Sequence, residues 1–188
     1  RVMMITPVAS KKKLTYEDYL KMPNEERYEL IEGELLMIPS PLIYHQWISK
    51  NIEYELERFV REKGAGKVFD APCDVYLDEE NVFQPDILFV SKERLNIIGE
   101  KNIQGAPHLV VEILSEATAY RDLIRKKKLY ARFGVREYWI VDPGEKRVEV
   151  YSLTAKEFDL SRSFSENDYL ESPLLTALKI ELSSVFSY

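Results

Sequence analysis

The chain has 188 residues, 45% of them hydrophobic and 31% charged, with a formal net charge of −6 at pH 7. This is the make-up of about one globular domain, with apolar content enough for a core without cross-links, and the acidic balance argues against non-specific polyanion binding by the whole surface. A single cysteine, Cys73, excludes a disulfide framework and a cysteine-rich zinc site; no apolar run approaches the roughly 18 residues of a membrane span, and the absence of a signal-type apolar leader makes a reducing cytoplasm the expected location.

Residues 1–13 carry no periodicity and read as a flexible arm ahead of a single domain over 14–188. Thr15-Tyr16-Glu17-Asp18 is a capping-box variant that starts a short helix, which Pro23 is expected to end. Residues 28–38 read as a β-hairpin turning at Glu32-Gly33, because glycine tolerates positive φ. Pro39 and Pro41 break the chain, and residues 44–63 follow as a helix with Ile48, Ile52, Leu56 and Phe59 on one side, stopped by Gly64 and Gly66. Strands are predicted at 68–69, 73–77 and 86–90, with 78–81 as a turn and 91–105 irregular or holding a short helix. A strong strand at 108–114 precedes a helix at 120–133 capped by Gly134; strands at 137–141 and 147–153 follow, and 158–188 adds at least one strand and a short terminal helix. Strands partly separated by helices predict an α/β or α+β fold with a mixed sheet.

Two acids interrupt strongly apolar runs. Asp86 precedes Ile87-Leu88-Phe89-Val90, and Glu112 lies within Leu109-Val110-Val111-Glu112-Ile113-Leu114. A buried charge is costly unless paired or bound to a metal. On the helix at 120–133, a wheel of about 100° per residue groups Leu123, Leu129, Tyr130 and Phe133 on one side, with Lys126 near the middle of that stripe. Arg121, Arg125, Lys128 and Arg132 form a separate basic face. A lysine facing a core needs carboxylate partners or it loses its proton. Asp86, Glu112 and Lys126 therefore read as one site: two carboxylates for Mg²⁺ or Mn²⁺, and a lysine to orient water or offset charge in the transition state. Each of the three taken alone also fits an ordinary structural salt bridge or cap; it is their conjunction that points to a metal–carboxylate site.

Several segments together resemble a known family. Gln84-Pro85-Asp86; Gly105-Ala106-Pro107-His108 running into the Glu112 strand and Ser115; Asp122, Lys126 and Tyr130 at four-residue steps; and Gly134-Val135-Arg136-Glu137-Tyr138-Trp139-Ile140-Val141-Asp142-Pro143 are similar to the large "putative restriction endonuclease" family of the PD-(D/E)xK nuclease superfamily. The likeness extends to Arg27-Tyr28-Glu29-Leu30-Ile31-Glu32-Gly33-Glu34, His45-Gln46 and Ser172-Pro173-Leu174-Leu175, covering about residues 14–186. The resemblance implies a restriction-endonuclease-like core, a mixed β-sheet flanked by helices with an N-terminal helix and hairpin. It also implies a Mg²⁺- or Mn²⁺-dependent endonuclease acting on DNA, with Asp86 and Glu112 as metal carboxylates. One departure stands out: the superfamily's lysine normally lies two residues after the glutamate, where this chain has Leu114, so Lys126 resembles a migrated lysine.

Four further residues are accessory candidates. Glu34 is either a third acid or a solvated hairpin residue; His45 either a ligand for metal or phosphate or a local hydrogen-bonding group; Gln84 a contact to substrate or water. Asp74 lies in a strand expected to pair with the Asp86 strand, which would bring it to the cluster. The basic face is either a track for a phosphate backbone or the wet side of an amphipathic helix. Beside the DNA endonuclease stand two rival readings: a catalytically silent restriction-like nucleic-acid-binding or assembly module, and a hydrolase of another phosphate ester. A homodimer is the expectation by analogy, since cutting two strands favours paired subunits.

Overall fold

Thr15 opens α1 (Tyr16–Tyr19), its backbone N–H and hydroxyl both donating to the Asp18 carboxylate at 3.0 and 3.1 Å. These contacts belong to a computed structural model that describes residues 12–115 and 120–188, with backbone alone at 120–122. Helix α1 closes at Tyr19, well before Pro23. The hairpin of β1 (Arg27–Ile31) and β2 (Glu34–Ile38) turns through Glu32 and Gly33, both at positive φ (51° and 79°), the tight turn that matches strand twist. A side chain at Gly33 would strike Lys13, and Leu14 N–H donates to the Gly33 carbonyl at 2.8 Å. The segment entering α1 is therefore fastened to this turn.

Helix α2 (Ile43–Lys63) buries Ile48, Ile52, Leu56 and Val60, four residues apart, and ends at Gly64 in the left-handed region. Next come β3 (Gly66–Asp70), β4 (Val75–Asp78) and β5 (Asn81–Phe83). The stretch predicted only as a turn is a second hairpin: Asp78 accepts from the Glu80 N–H and the Asn81 amide, and the chain returns as a three-residue strand. Beyond Gln84-Pro85 come β6 (Ile87–Ser91), a 3₁₀ segment (Lys92–Ile97), β7 (Ile103–Gln104), β8 (Leu109–Ile113), α3 (Tyr120–Phe133), β9 (Glu137–Asp142), β10 (Arg147–Thr154), β11 (Glu157–Ser165), β12 (Tyr169–Glu171), β13 (Lys179–Glu181) and α4 (Leu182–Phe186).

A six-stranded mixed sheet, in the order β11-β10-β9-β8-β6-β3, forms the centre; β8 and β9 are parallel and joined through α3, and its other pairs are antiparallel. A five-stranded sheet, β2-β1-β5-β4-β7, carries the N-terminal hairpin, and β12 and β13 form a ribbon. Leu109, Val111 and Ile113 of β8 pack with α2, α4 and the ribbon, whereas Val110 packs with α3 and the first sheet. Covered on both faces, β8 carries a nearly continuous apolar sequence, and Glu112 within it is 8% exposed. The predicted class, a mixed sheet flanked by helices with an N-terminal helix and hairpin, is the one observed.

Candidate active site

Strands β6 and β8 pair with Ile87 opposite Val111 and Phe89 opposite Leu109. One step beyond Ile87, this register sets Asp86 opposite Glu112. The Ile113 N–H donates to Asp86 Oδ2 at 2.7 Å. From α3, Lys126 Nζ lies 2.5 Å from Glu112 Oε1 and 2.8 Å from Glu29 Oε1. Tyr130, one helical turn on, donates to the same Glu112 oxygen at 2.8 Å. Lys126 is 6% exposed, as its place in the apolar stripe requires. Asp86, Glu112 and Lys126 line one cavity of about 700 Å³, together with Glu29, His45 and Gln84.

The acid that joins Glu112 at Lys126 is Glu29, while Glu34 lies outside this cluster. Glu29 is buried in β1 and accepts from the Gln84 N–H at 2.8 Å as well as from Lys126. Glu34, at the start of β2, is mostly exposed and pairs with Arg125 at 3.0 Å. The sequence carries only a weak signal for Glu29: it precedes the apolar Leu30-Ile31, but Arg27 and Glu32 stand close by, whereas Glu112 is alone among apolar neighbours.

Burial drives the electrostatics. Desolvation, with repulsion from Glu29 and Asp86, pushes Glu112 up to about 7 even though Lys126 pulls it back. Burial acts to lower Lys126, but Glu112 and Glu29 outweigh it and hold the ammonium charged well above its ordinary range. The Tyr130 phenol is pushed far up by burial and by the same two carboxylates; at neutral pH it remains a donor to Glu112.

His45 reaches this pocket from the first turn of α2. Its Nε2 lies 3.2 Å from the Ile113 carbonyl and 3.5 Å from Asp86 Oδ2, and its buried Nδ1 has no hydrogen-bond partner among the described residues. Burial works against the imidazolium, but Asp86, the Ile113 carbonyl and Glu112 together raise its pKa. Gln84 is held at both ends: Arg27 Nε donates to its carbonyl at 2.8 Å, and its amide donates to Asp74 at 2.8 Å, so its backbone N–H is fixed beneath Glu29.

Asp74 does not join the carboxylates. It accepts from Tyr19 and Gln84. The strand that follows it, β4, pairs with β5 and β7 rather than with β6, because Gln84-Pro85 carries the chain out of the first sheet before Asp86. Two of the four cations on the basic face of α3 have acidic neighbours. Arg125 lies against Glu34 and Glu32 and donates to the Ile31 carbonyl, and Arg132 lies 3.9 Å from Asp78. Lys128 is exposed. The Arg121 side chain lies outside the described residues.

Three carboxylates, Glu29, Asp86 and Glu112, converge here against one lysine and one histidine, an excess of negative charge that a dication would offset. Among the described residues no three His, Cys, Asp or Glu side chains form a ready-made ligand set. The donors instead fit a hard ion that takes one or two carboxylates and keeps its waters: Asp86, Glu112 and the Ile113 carbonyl, whose oxygen shares the His45 Nε2 with Asp86. A zinc site of imidazole and thiolate is not present among the described residues.

A family model described as "Putative restriction endonuclease", Uma2, matches residues 16–183. A solved structure from Anabaena variabilis ATCC 29413, titled as a putative nuclease belonging to DUF820, superposes with a TM-score of 0.77 over 92% of this chain and 97% of that one, at 23% identity. It shares the fold. No curated protein matches the chain.

Proposed function

This chain belongs to the Uma2 family, and from that premise we propose that it is a divalent-metal-dependent endonuclease of the PD-(D/E)xK type that hydrolyses DNA phosphodiester bonds. One observation carries the reading: Asp86 and Glu112 face each other across the β6–β8 pair, and a buried lysine from the next helix closes on Glu112 in the same cavity. Asp86, Glu112 and the Ile113 carbonyl would hold Mg²⁺ or Mn²⁺. Bound there, the ion would supply an activated water and neutralise charge on the scissile phosphate. The chain's own residues do the rest. Lys126, kept protonated by Glu29 and Glu112, presents fixed positive charge to a phosphate or its attacking water at a buried position, where such charge acts strongly. Glu29 and Tyr130 anchor Lys126 and Glu112, and Gln84 fixes Glu29.

A second reading has its own support. Glu112 already accepts from Lys126 and Tyr130, a network that holds together without metal, as a silent binding or assembly module would need. Titration of Mn²⁺ by calorimetry, with supercoiled-plasmid nicking, separates the two. The nuclease reading requires binding that Asp86→Asn abolishes, and nicking that Glu112→Gln and Lys126→Ala each reduce by at least a hundredfold. Equal Mn²⁺ binding by wild type and Asp86→Asn, or undiminished nicking by the variants, refutes it.

A further inference from the structure

The outward face of α2 is unlike the outward face of α3. Six of its exposed residues follow the helical repeat: Ile43, Trp47, Lys50, Tyr54, Arg58 and Arg61 lie on one line opposite the buried Ile48, Ile52, Leu56 and Val60, with the exposed Gln46, Glu62 and Lys63 off that line. These six are two aromatics, three cations and an isoleucine, with no carboxylate, in a chain of net charge −6. Tyr54 is 61% exposed and Ile43 71%. Trp47 is held in place rather than loose, its Nε1 donating to the Ser187 carbonyl at 2.5 Å and its ring edge-on to Tyr188. The Arg58 guanidinium lies over the Tyr54 ring. Glu55 and Glu57 flank the line and pair with Arg58 and Arg61, but both arginines stay largely exposed. Exposed pairs of this kind are worth little and are readily exchanged for a phosphate.

We propose that this face is a track for single-stranded nucleic acid, leading an unpaired strand to the acidic cavity. The inference deepens the nuclease reading, on which it rests for the kind of ligand. Alternating rings and cations match a strand whose bases stack while its phosphates meet positive charge; a duplex keeps its bases from such rings. The line runs about 27 Å along the helix, room for several nucleotides. It is continuous with the site, because Lys50 lies on the line and also borders the cavity that holds Asp86 and Glu112. Acids outnumber cations in the cavity wall, five to three, and one of those three cations is Lys50 of the α2 line.

The test is binding of labelled oligothymidylate in chelator, with no cleavage possible, followed by anisotropy and by tryptophan fluorescence. The chain has two tryptophans and Trp139 is fully buried, so quenching reports Trp47. Single strand should bind more tightly than the matching duplex and quench. Tyr54→Ala should weaken binding about tenfold, and Lys50→Ala should reduce the slope of log affinity against log salt by about 0.7. Unchanged binding in both variants, or equal affinity for duplex without quenching, overturns the proposal. So does concentration-dependent self-association that Tyr54→Ala abolishes, which would assign the face to a second copy. Binding without Mn²⁺-dependent nicking would sink the enzyme reading alone; nicking that is insensitive to the α2 variants would sink this inference alone.

Discussion

Lys126 holds the acidic cavity together before any metal is considered. Glu29 and Glu112 both lean on its ammonium, and each is only 8% exposed. Removing one partner of a buried ion pair leaves the other charge uncompensated. Lys126→Ala should therefore cost on the order of 3–5 kcal/mol in chelator by denaturant unfolding, recovered in part by Mg²⁺ through preferential binding to the folded state; an unchanged midpoint would mean the lysine does not carry these acids. Glu112 gives a pH signature. Folding raises its pKa from the usual glutamate value to about 7, so the native state holds the proton more tightly than the unfolded chain does. Its contribution is full below the usual glutamate range and is lost as pH rises through about 7. The stability of wild type relative to Glu112→Gln should thus fall between about pH 5 and 8, and Mn²⁺ affinity should rise over the same window because the ligand form is the carboxylate. A flat difference across that window would contradict the assignment.

At the level of elements, the candidate site was legible wherever one segment carried its own signal. Lys126 showed itself by helical phase within α3, and Glu112 by standing alone in an apolar strand. Glu29 was missed because the hairpin offered several acids and the choice between Glu29 and Glu34 depends on which end of β1 and β2 meets Gln84 and Lys126, a tertiary matter. The cations of α3 were legible as a stripe, but their partners Glu32, Glu34 and Asp78 come from hairpins about 50 to 90 residues upstream. Strand β5 escaped notice because it is three residues long and follows turn-forming residues. The segment Ser172-Pro173-Leu174-Leu175 gains a physical explanation: the Ser172 hydroxyl and the Leu174 N–H both donate to the buried Glu137, as does Trp139 Nε1. This fastens the chain after β12 to the start of β9. Ser172→Ala should cost about 1–3 kcal/mol by thermal or denaturant unfolding, with Mn²⁺ affinity unchanged; a loss of metal binding at full stability would mean the link belongs to the cavity instead.

Across the whole molecule, charge is laid out in opposition. Acids crowd the cavity, acids of the first-sheet hairpins lie against Arg125 and Arg132 of α3, and the exposed line on α2 sets aromatic rings among its cations. The six-stranded sheet makes this possible, because β6 and β8 bring Asp86 and Glu112 together while burying nearly everything else on those strands. No helix among the described residues is long and apolar enough to cross a membrane. The central claim is that Asp86 and Glu112 share one dication beside Lys126. Crystals soaked in Mn²⁺ and measured for anomalous scattering test it most directly: the account predicts a single strong peak coordinated by both carboxylates in wild type and absent in Asp86→Asn. A cavity that stays empty at saturating Mn²⁺, or a peak elsewhere that ignores the substitution, would contradict it.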